Sequence, residues 1–363
     1  MATTAQGGIL GFGPSTGKGV AVTSGKWYRH KAQMIDLGVM DDQRMGPPEV
    51  GGNPFPSMPY KAGVMVGGGA TISPRLKASL GWLLYGTMGS DSVTSGSGNI
   101  KNHAFKVSSA NPNLVPWMGF RKFVPSSGDA GDYAIGEVYN DCKVTNFVLT
   151  LPNDGLISAR VDVLGRDFVL SQAPTWGITS GSAGGWDPVD GEFEDFNSVP
   201  IGCTIGGYIN VPTFGSLPVV AAQIGWQNMP LDPRNEKVYG SPFLEDVTVV
   251  SRAMTLDLTV KWRNPDLYRQ ILTGSVGGTI WSAKPFTTAV EIVALSPDVM
   301  PTTTLPYRLK INMASAMLAM NGGVQLAGGQ AIMMRFTGTV LDVPGQDYAV
   351  VELRNQYTAY NWT

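Results

Sequence analysis

Lys18 lies in a glycine-rich stretch, Gly13-Pro14-Ser15-Thr16-Gly17-Lys18-Gly19, whose residue types could cradle a phosphate. A phosphate loop needs four residues between its glycines and a hydroxyl side chain after the lysine, so that backbone N–H groups ring the anion. Here Gly13 comes one residue too late, Gly11 one too early, and Gly19 stands where the hydroxyl belongs. The stretch is not a phosphate loop. His30 and His103 lie far apart, and neither falls in a pattern that ligates zinc. A triad assembles in space, so sequence leaves open a pairing of either histidine with Cys142 or a serine. In an extended run such as Asn102-His103-Ala104-Phe105, however, a histidine reads as a surface or interface residue. Asp187, Asp190, Glu192, Glu194 and Asp195 form the one acidic cluster. It could bind a cation, but reads as a solvated acidic linker. The nine tryptophans are scattered singly, the habit of cores and interfaces rather than of a sugar platform. The residues therefore point to no catalytic group, no cofactor and no metal.

Charge points the same way. Asp, Glu, Lys and Arg make up 15% of the 363 residues and sum to a net −2. A basic nucleic-acid binder is excluded by that balance, and disorder by an apolar fraction of 43%. So little charge suits a subunit buried among copies of itself better than a free monomer. The two cysteines, Cys142 and Cys203, build no disulfide framework. The first residues show no basic stretch followed by an apolar one, and no window is apolar enough to span a membrane. The expected setting is a cytoplasm-like compartment.

The elements that must position any site are mostly strands. Residues 146–151 and 156–164 flank Pro152-Asn153-Asp154-Gly155, a strong hairpin signal. Alternation places Ser158, Arg160 and Asp162 on one face and Ile157, Ala159, Val161 and Val163 on the other. Residues 255–262 alternate likewise, with Thr255, Asp257, Thr259 and Lys261 on the polar side. Two helices are expected. Ser73-Pro74 opens the first, Leu76, Leu80, Leu83 and Leu84 give it an apolar stripe, and Gly86 ends it. Asn264-Pro265 opens the second, which runs through Leu267 and Ile271 to Gly274.

The two helix openings, Ser73 and Asn264, are 191 residues apart. At that offset the turn-rich residues 36–60 fall on 227–251, and the Asp-Gly hairpin has a counterpart near Leu326-Ala327-Gly328-Gly329. We read an internal duplication. Residues 1–25 form an arm with almost no charge, 26–180 a first domain, 181–189 a linker and 190–363 a second, diverged domain.

From the first helix to Phe168 the chain resembles the tail tube proteins of long-tailed bacteriophages. The resemblance rests on the helix near 73–85, the strand Asn102–Val107, and the run Tyr139-Asn140-Asp141-Cys142-Lys143-Val144-Thr145-Asn146-Phe147. After the turn, Leu156 to Leu164 ends in Gly165-Arg166-Asp167. The turn itself is less glycine-rich than the resemblance leads one to expect. A mainly β fold follows from the resemblance: two tandem β-sandwich or half-barrel domains, each with one short flanking helix. Rings would stack into a hollow tube in the virion tail, assembled in the host cytoplasm. Partners would be other copies of the chain, other tail proteins, and the tape-measure protein and genomic DNA in the lumen. Six tube domains per ring imply three two-domain chains, with six chains as the competing count. Another virion structural protein, capsid or decoration, and a secreted carbohydrate-binding or hydrolytic β-protein are the alternatives.

On this reading Ser158, Arg160, Asp162, Thr255, Asp257, Thr259 and Lys261 line the lumen. Ile9, Leu10, Pro47, Pro48, Pro54, Pro56, Pro230 and Tyr239, in the arm and the two long loops, make contacts between subunits.

Overall fold

A computed structural model describes residues 8–22, 27–30, 32–47, 55, 58–76, 79–96, 99–107, 111–125, 135–152, 155–172, 207–263, 265–324 and 331–360. Alternating apolar and polar residues build more than half of it into strands. The first half holds β1 (Ile9–Pro14), β2 (Tyr28–His30), β3 (Ala32–Ile35), β4 (Gly38–Met45) and β5 (Pro59–Ile72). Then follow α1 (Ser79–Met88), β6 (Gly89–Ser95), β7 (Lys101–Val107), β8 (Met118–Val124), β9 (Ile135–Pro152) and β10 (Ser158–Gln172). The second half holds β11 (Tyr208–Val211), β12 (Gly215–Ser216), β13 (Val219–Pro230), β14 (Val249–Lys261) and α2 (Asp266–Thr273). It continues with β15 (Phe286–Val299), β16 (Pro306–Met320), β17 (Met333–Val340) and β18 (Ala349–Asn355). Pairing links these strands into one 18-stranded sheet, antiparallel at every pairing named here.

One connectivity occurs twice. In the first half the neighbours run β2–β1–β8–β9–β10–β5–β4. In the second they run β12–β11–β15–β16, then β17 and β18 side by side along β16, then β14 and β13. β17 and β18 together take the place of the long β10. Each helix follows the corresponding strand, α1 after β5 and α2 after β14. Among the described strands, β3, β6 and β7 are the additions of the first half.

The halves are sewn together twice. β9 pairs with β13 from Asn146↔Gln227 to Pro152↔Ala221. β18 crosses back and pairs with β7, from Val350↔Lys106 to Asn355↔Lys101. The first seam makes a continuous run of eight strands, β4–β5–β10–β9–β13–β14–β17–β16. Side chains of Phe147, Leu149, Ile224, Leu256, Leu258 and Phe336 are buried on its inner face, in the large core that also holds α1.

α1 differs from the expected helix. It starts at Ser79 rather than Ser73, whose hydroxyl accepts from Gln33 Nε2 at 3.0 Å while Leu80 N–H reaches back to the Arg75 carbonyl at 3.1 Å. It is not striped. Leu80, Trp82, Leu83, Leu84, Thr87 and Met88 are all buried, as in a helix enclosed by core on every side. Each of its leucines contributes about 1.5–3 kcal/mol by burial. Gly86 does not end the helix. A Cβ there would lie 2.1 Å from Met118 Sδ, so it is a close-approach glycine, and Gly89 at φ +101° makes the exit. α2 begins one turn position after Pro265 and ends as expected at Gly274, φ +75°.

Other expectations change too. Residues 38–45 and 59–72 form a long β4–β5 hairpin rather than a loop, because Val39, Met40 and Val66 pair across it. In 227–251, the ends belong to β13 and β14, and only 231–248 is irregular, with a 3-10 turn at Pro233–Glu236. The strand before the second hairpin ends at Met320, and the expected turn at Leu326–Gly329 lies outside the described residues. The acidic cluster Asp187–Asp195 and the linker 181–189 lie outside the described residues.

Candidate functional site

The eight-strand run has one apolar face against the core and one polar face, and the polar face is the candidate site. Register fixes its rows. Ser158 stands opposite Thr150, Thr150 opposite Gln223, Gln223 opposite Asp257, and Asp257 opposite Thr337. The next row is Thr71, Arg160, Val148, Gly225, Thr255 and Thr339. Directly opposed residues in a ladder share a face. The two groups of lumen candidates, Ser158, Arg160 and Asp162 with Thr255, Asp257, Thr259 and Lys261, therefore lie on one surface, three strands apart. Between them the residues of the core-facing set, Ala159, Val161, Leu256, Leu258 and Val260, are buried.

The charges on this face neutralise one another. Arg160 donates from Nη2 to Asp36 Oδ2 at 2.7 Å and from Nε to Asp162 Oδ1 at 2.6 Å. Asn146 Nδ2 donates to the other Asp162 oxygen at 2.9 Å. Arg335 forks onto Asp257, with Nε donating at 2.9 Å. The Arg160 guanidinium, followed by the Gly69 N–H, holds the Asp36 carboxyl below the usual carboxylate range against the opposing cost of its burial. Asp36 and Asp162 thus share Arg160, and Asp257 takes Arg335; Lys261 brings the bases to three against three acids. What remains is a carpet of Thr, Ser, Gln and Asn hydroxyl and amide groups. Such a surface presents no array of cations to grip phosphates.

Two of its members escaped sequence reasoning. Arg335 was legible, because residues 333–340 alternate, and its position opposite Thr259 completes the pattern. Asp36 was not, since it sits at the corner between β3 and β4, where no periodicity points.

Potential chemistry elsewhere is sealed in the core. His103 is buried, not at the surface: Nδ1 lies 2.8 Å from Asp91 Oδ2 and Nε2 3.0 Å from the Tyr357 carbonyl, with both side chains fully enclosed. The pair clasps the chain after β18, because Tyr360 N–H also donates to Asp91 at 3.0 Å. Burial pushes the Cys142 thiol far up, aided by the nearby Asp141 carboxylate, which removes the thiolate a nucleophile needs. Among the described residues no group of three His, Cys, Asp or Glu could hold a metal ion.

The contact candidates divide. Ile9 and Leu10 are spent inside the chain: β1 lies between β2 and β8, and both side chains are buried in this chain's own core. The apolar pair that made the arm look available to a neighbour is what holds it to its own sheet. Pro47 follows β4 at the surface, Pro230 ends β13 opposite Val249, and Tyr239 is fully exposed in 231–248. Pro48, Pro54 and Pro56 lie outside the described residues. The 231–248 segment is pinned by its own first half. Arg166 Nε donates to the Leu244 carbonyl at 2.9 Å, and Lys143 Nζ to the Val247 carbonyl at 2.7 Å.

No helix among the described residues is long and apolar enough to cross a membrane. The family described as phage tail tube protein matches residues 19–346, across both halves. No curated protein matches the chain at a significant level.

Proposed function

The chain belongs to the phage tail tube protein family, structural proteins of the virion tail, and from that premise we propose that it polymerises into stacked rings enclosing the channel for genomic DNA. The observation that carries this is the eight-strand run with a self-neutralised polar face on one side and a core on the other. The run is open at β4, and at its other end β15 flanks β16, so closure would bring the β4 edge of one copy to the β15–β16 end of the next.

The strand count favours three chains per ring. With neighbouring strands about 4.8 Å apart and tilted about 40°, 24 strands close a barrel roughly 50 Å across between backbones, and roughly 35–40 Å inside the side chains. Two chains would give 16 strands, the size of a porin that passes only water and small solutes. Six chains, all contributing eight strands, would double the three-chain circumference. The twice-used connectivity supports the same reading: domains 26–180 and 190–363, with the arm strand β1 joined to the first, would alternate around a trimeric ring of pseudo-sixfold symmetry.

In this arrangement Ser158, Arg160, Asp162, Thr255, Asp257, Thr259 and Lys261 line the lumen, with tape-measure protein and then DNA passing over them. Pro47, Pro230 and Tyr239 are placed for contacts between rings and with other tail proteins. Catalysis has no part in it. Negative-stain microscopy of the purified chain tests the reading: hollow tubes support it, whereas shells would favour a capsid or decoration protein, and soluble monomers with glycan affinity a carbohydrate-binding one.

A further inference from the structure

The joint between the halves of one chain supplies a template for the joint between two chains. Inside the chain, the segment after α1 leaves its own half: β7 runs out and pairs with β18 of the second half. The strand equivalent to β18 in the first half is the outer part of β10. Beyond Gly165, β10 pairs with β9 on one side, and among the described residues no strand pairs with its other edge. Val169 and Leu170 on that stretch are 51% and 59% exposed.

The segment equivalent to β6–β7 in the second half is the one after α2, residues 274–285. It does not fold back. Ile280 is 82% exposed and Trp281 73%, with Val276 beside them, although Ser282 N–H is tied to the Leu272 carbonyl at 2.9 Å. A fixed loop that holds an indole and a branched chain in water marks a contact surface. The same loop carries the exposed Lys284, and the β10 edge carries Asp167.

We infer that Ile280 and Trp281 of one copy of this chain pack on Val169 and Leu170 of the next copy, closing the ring where β7 and β18 close the chain. The inference rests on the ring reading above and adds to it which surfaces meet. Direction follows from the in-chain seam. The first half presents β9 and the segment after α1 to the second half's β13 and β18. The second half accordingly presents β15, β16 and the segment after α2 to the next copy, whose β4 edge and outer β10 edge face it. Ring closure then runs head to tail, as a heterologous interface must.

Paired cysteines test this in the full chain. Leu170→Cys and Trp281→Cys, in a Cys203→Ser background, are assembled, imaged and oxidised. Expected are hollow tubes and disulfide-linked dimers and trimers that need both cysteines. Trp281→Ala should keep the circular dichroism spectrum of the parent and raise the concentration needed for tube growth about tenfold or more, the weight of one buried indole. Tubes that yield no link between positions 170 and 281, and an alanine variant that polymerises like the parent, would overturn this junction while leaving the tube reading standing. A chain that forms no tubes under any condition would overturn both.

Discussion

Arg166 Nη1 donates to Asp141 Oδ2 at 2.7 Å, and the same carboxylate accepts the Gly19 N–H at 2.9 Å. Asp141 holds the left-handed backbone, φ +50°, in the middle of β9. One buried ion pair thereby ties the amino-terminal turn, β9, β10 and, through Arg166 Nε, the 244 region of the second half. The Gly165-Arg166-Asp167 run inside β10, which carries part of the family resemblance, has this physical use.

Removing one partner of a buried pair strands the other, at a cost of about 3–5 kcal/mol. Asp141→Ala should lose stability on that order, since alanine also resists the left-handed backbone. Asp141→Asn should lose less, because asparagine tolerates that backbone and keeps an acceptor for Gly19. Urea unfolding of the two variants checks the order. Equal losses would mean that the charge, not the backbone and the acceptor, carries the effect.

Arg252 couples the halves through α1. It lies on β14 and donates to the Thr87 and Met88 carbonyls at the end of the helix, with Asn228 Oδ1 accepting from its Nε at 2.7 Å. Desolvation draws this guanidinium down to about 10. Arg252→Met should cost about 2–4 kcal/mol by taking its donors from the Met88 carbonyl and Asn228 Oδ1, while the Thr87 carbonyl keeps only Asn228 Nδ2. Unfolding should remain one transition, because a second-half residue caps a first-half helix. Separate melting of the two halves would contradict this.

Gly81 faces the ring of Tyr360, and a Cβ there would come within 2.0 Å of it. Tyr360 also meets Trp82 edge-on at 5.3 Å and stacks on Tyr357 at 4.6 Å. Gly81→Ala should therefore expel the segment after β18 and destabilise the chain by about 1–3 kcal/mol as an overpacked core position. Faster proteolysis at the carboxyl end, next to an intact remainder, is the expected signature. A variant with parental stability and protease resistance would show that the ring has room to move.

Acid should unmask the polar face. Asp36 binds its proton more weakly folded than unfolded, so its contribution is present above its unfolded value near pH 4 and is lost as pH falls through the lower folded value. Glu291 behaves alike, held down by Lys310 and Tyr208. Stability should be flat from about pH 5 to 8 on this account and fall below about pH 4. Duplex DNA affinity should rise in the same window, as Arg160 loses its bond to the Asp36 carboxylate. At neutral pH, Asp162→Asn with Asp257→Asn should produce the same affinity, and anisotropy titrations read both. DNA binding by the parent at neutral pH and physiological salt would contradict the self-neutralised face.

Local pattern made much of this legible. The alternation of 156–164 and 255–261 placed the polar faces correctly, and Asn153-Asp154-Gly155 marked the β9–β10 hairpin. Local signals found α2, a half-buried helix that starts after Pro265 and ends on left-handed Gly274. It misplaced α1, whose residues answer to a core on all sides rather than to Ser73 and Gly86. The seams β9–β13 and β7–β18 were invisible, because no local pattern says which edge a strand meets. Ile9 and Leu10 misled for the same reason: an apolar pair in a charge-poor terminus looks alike whether its own sheet or a neighbour's takes it up.

Helical reconstruction of the assembled tube tests the central claim most directly. The expected map shows three 363-residue chains per ring, a continuous 24-stranded inner barrel, and Ser158 and Asp257 on its inner wall. Strict sixfold symmetry with six whole chains per ring, or a wall that turns the Ser158–Asp257 row outward, would contradict it.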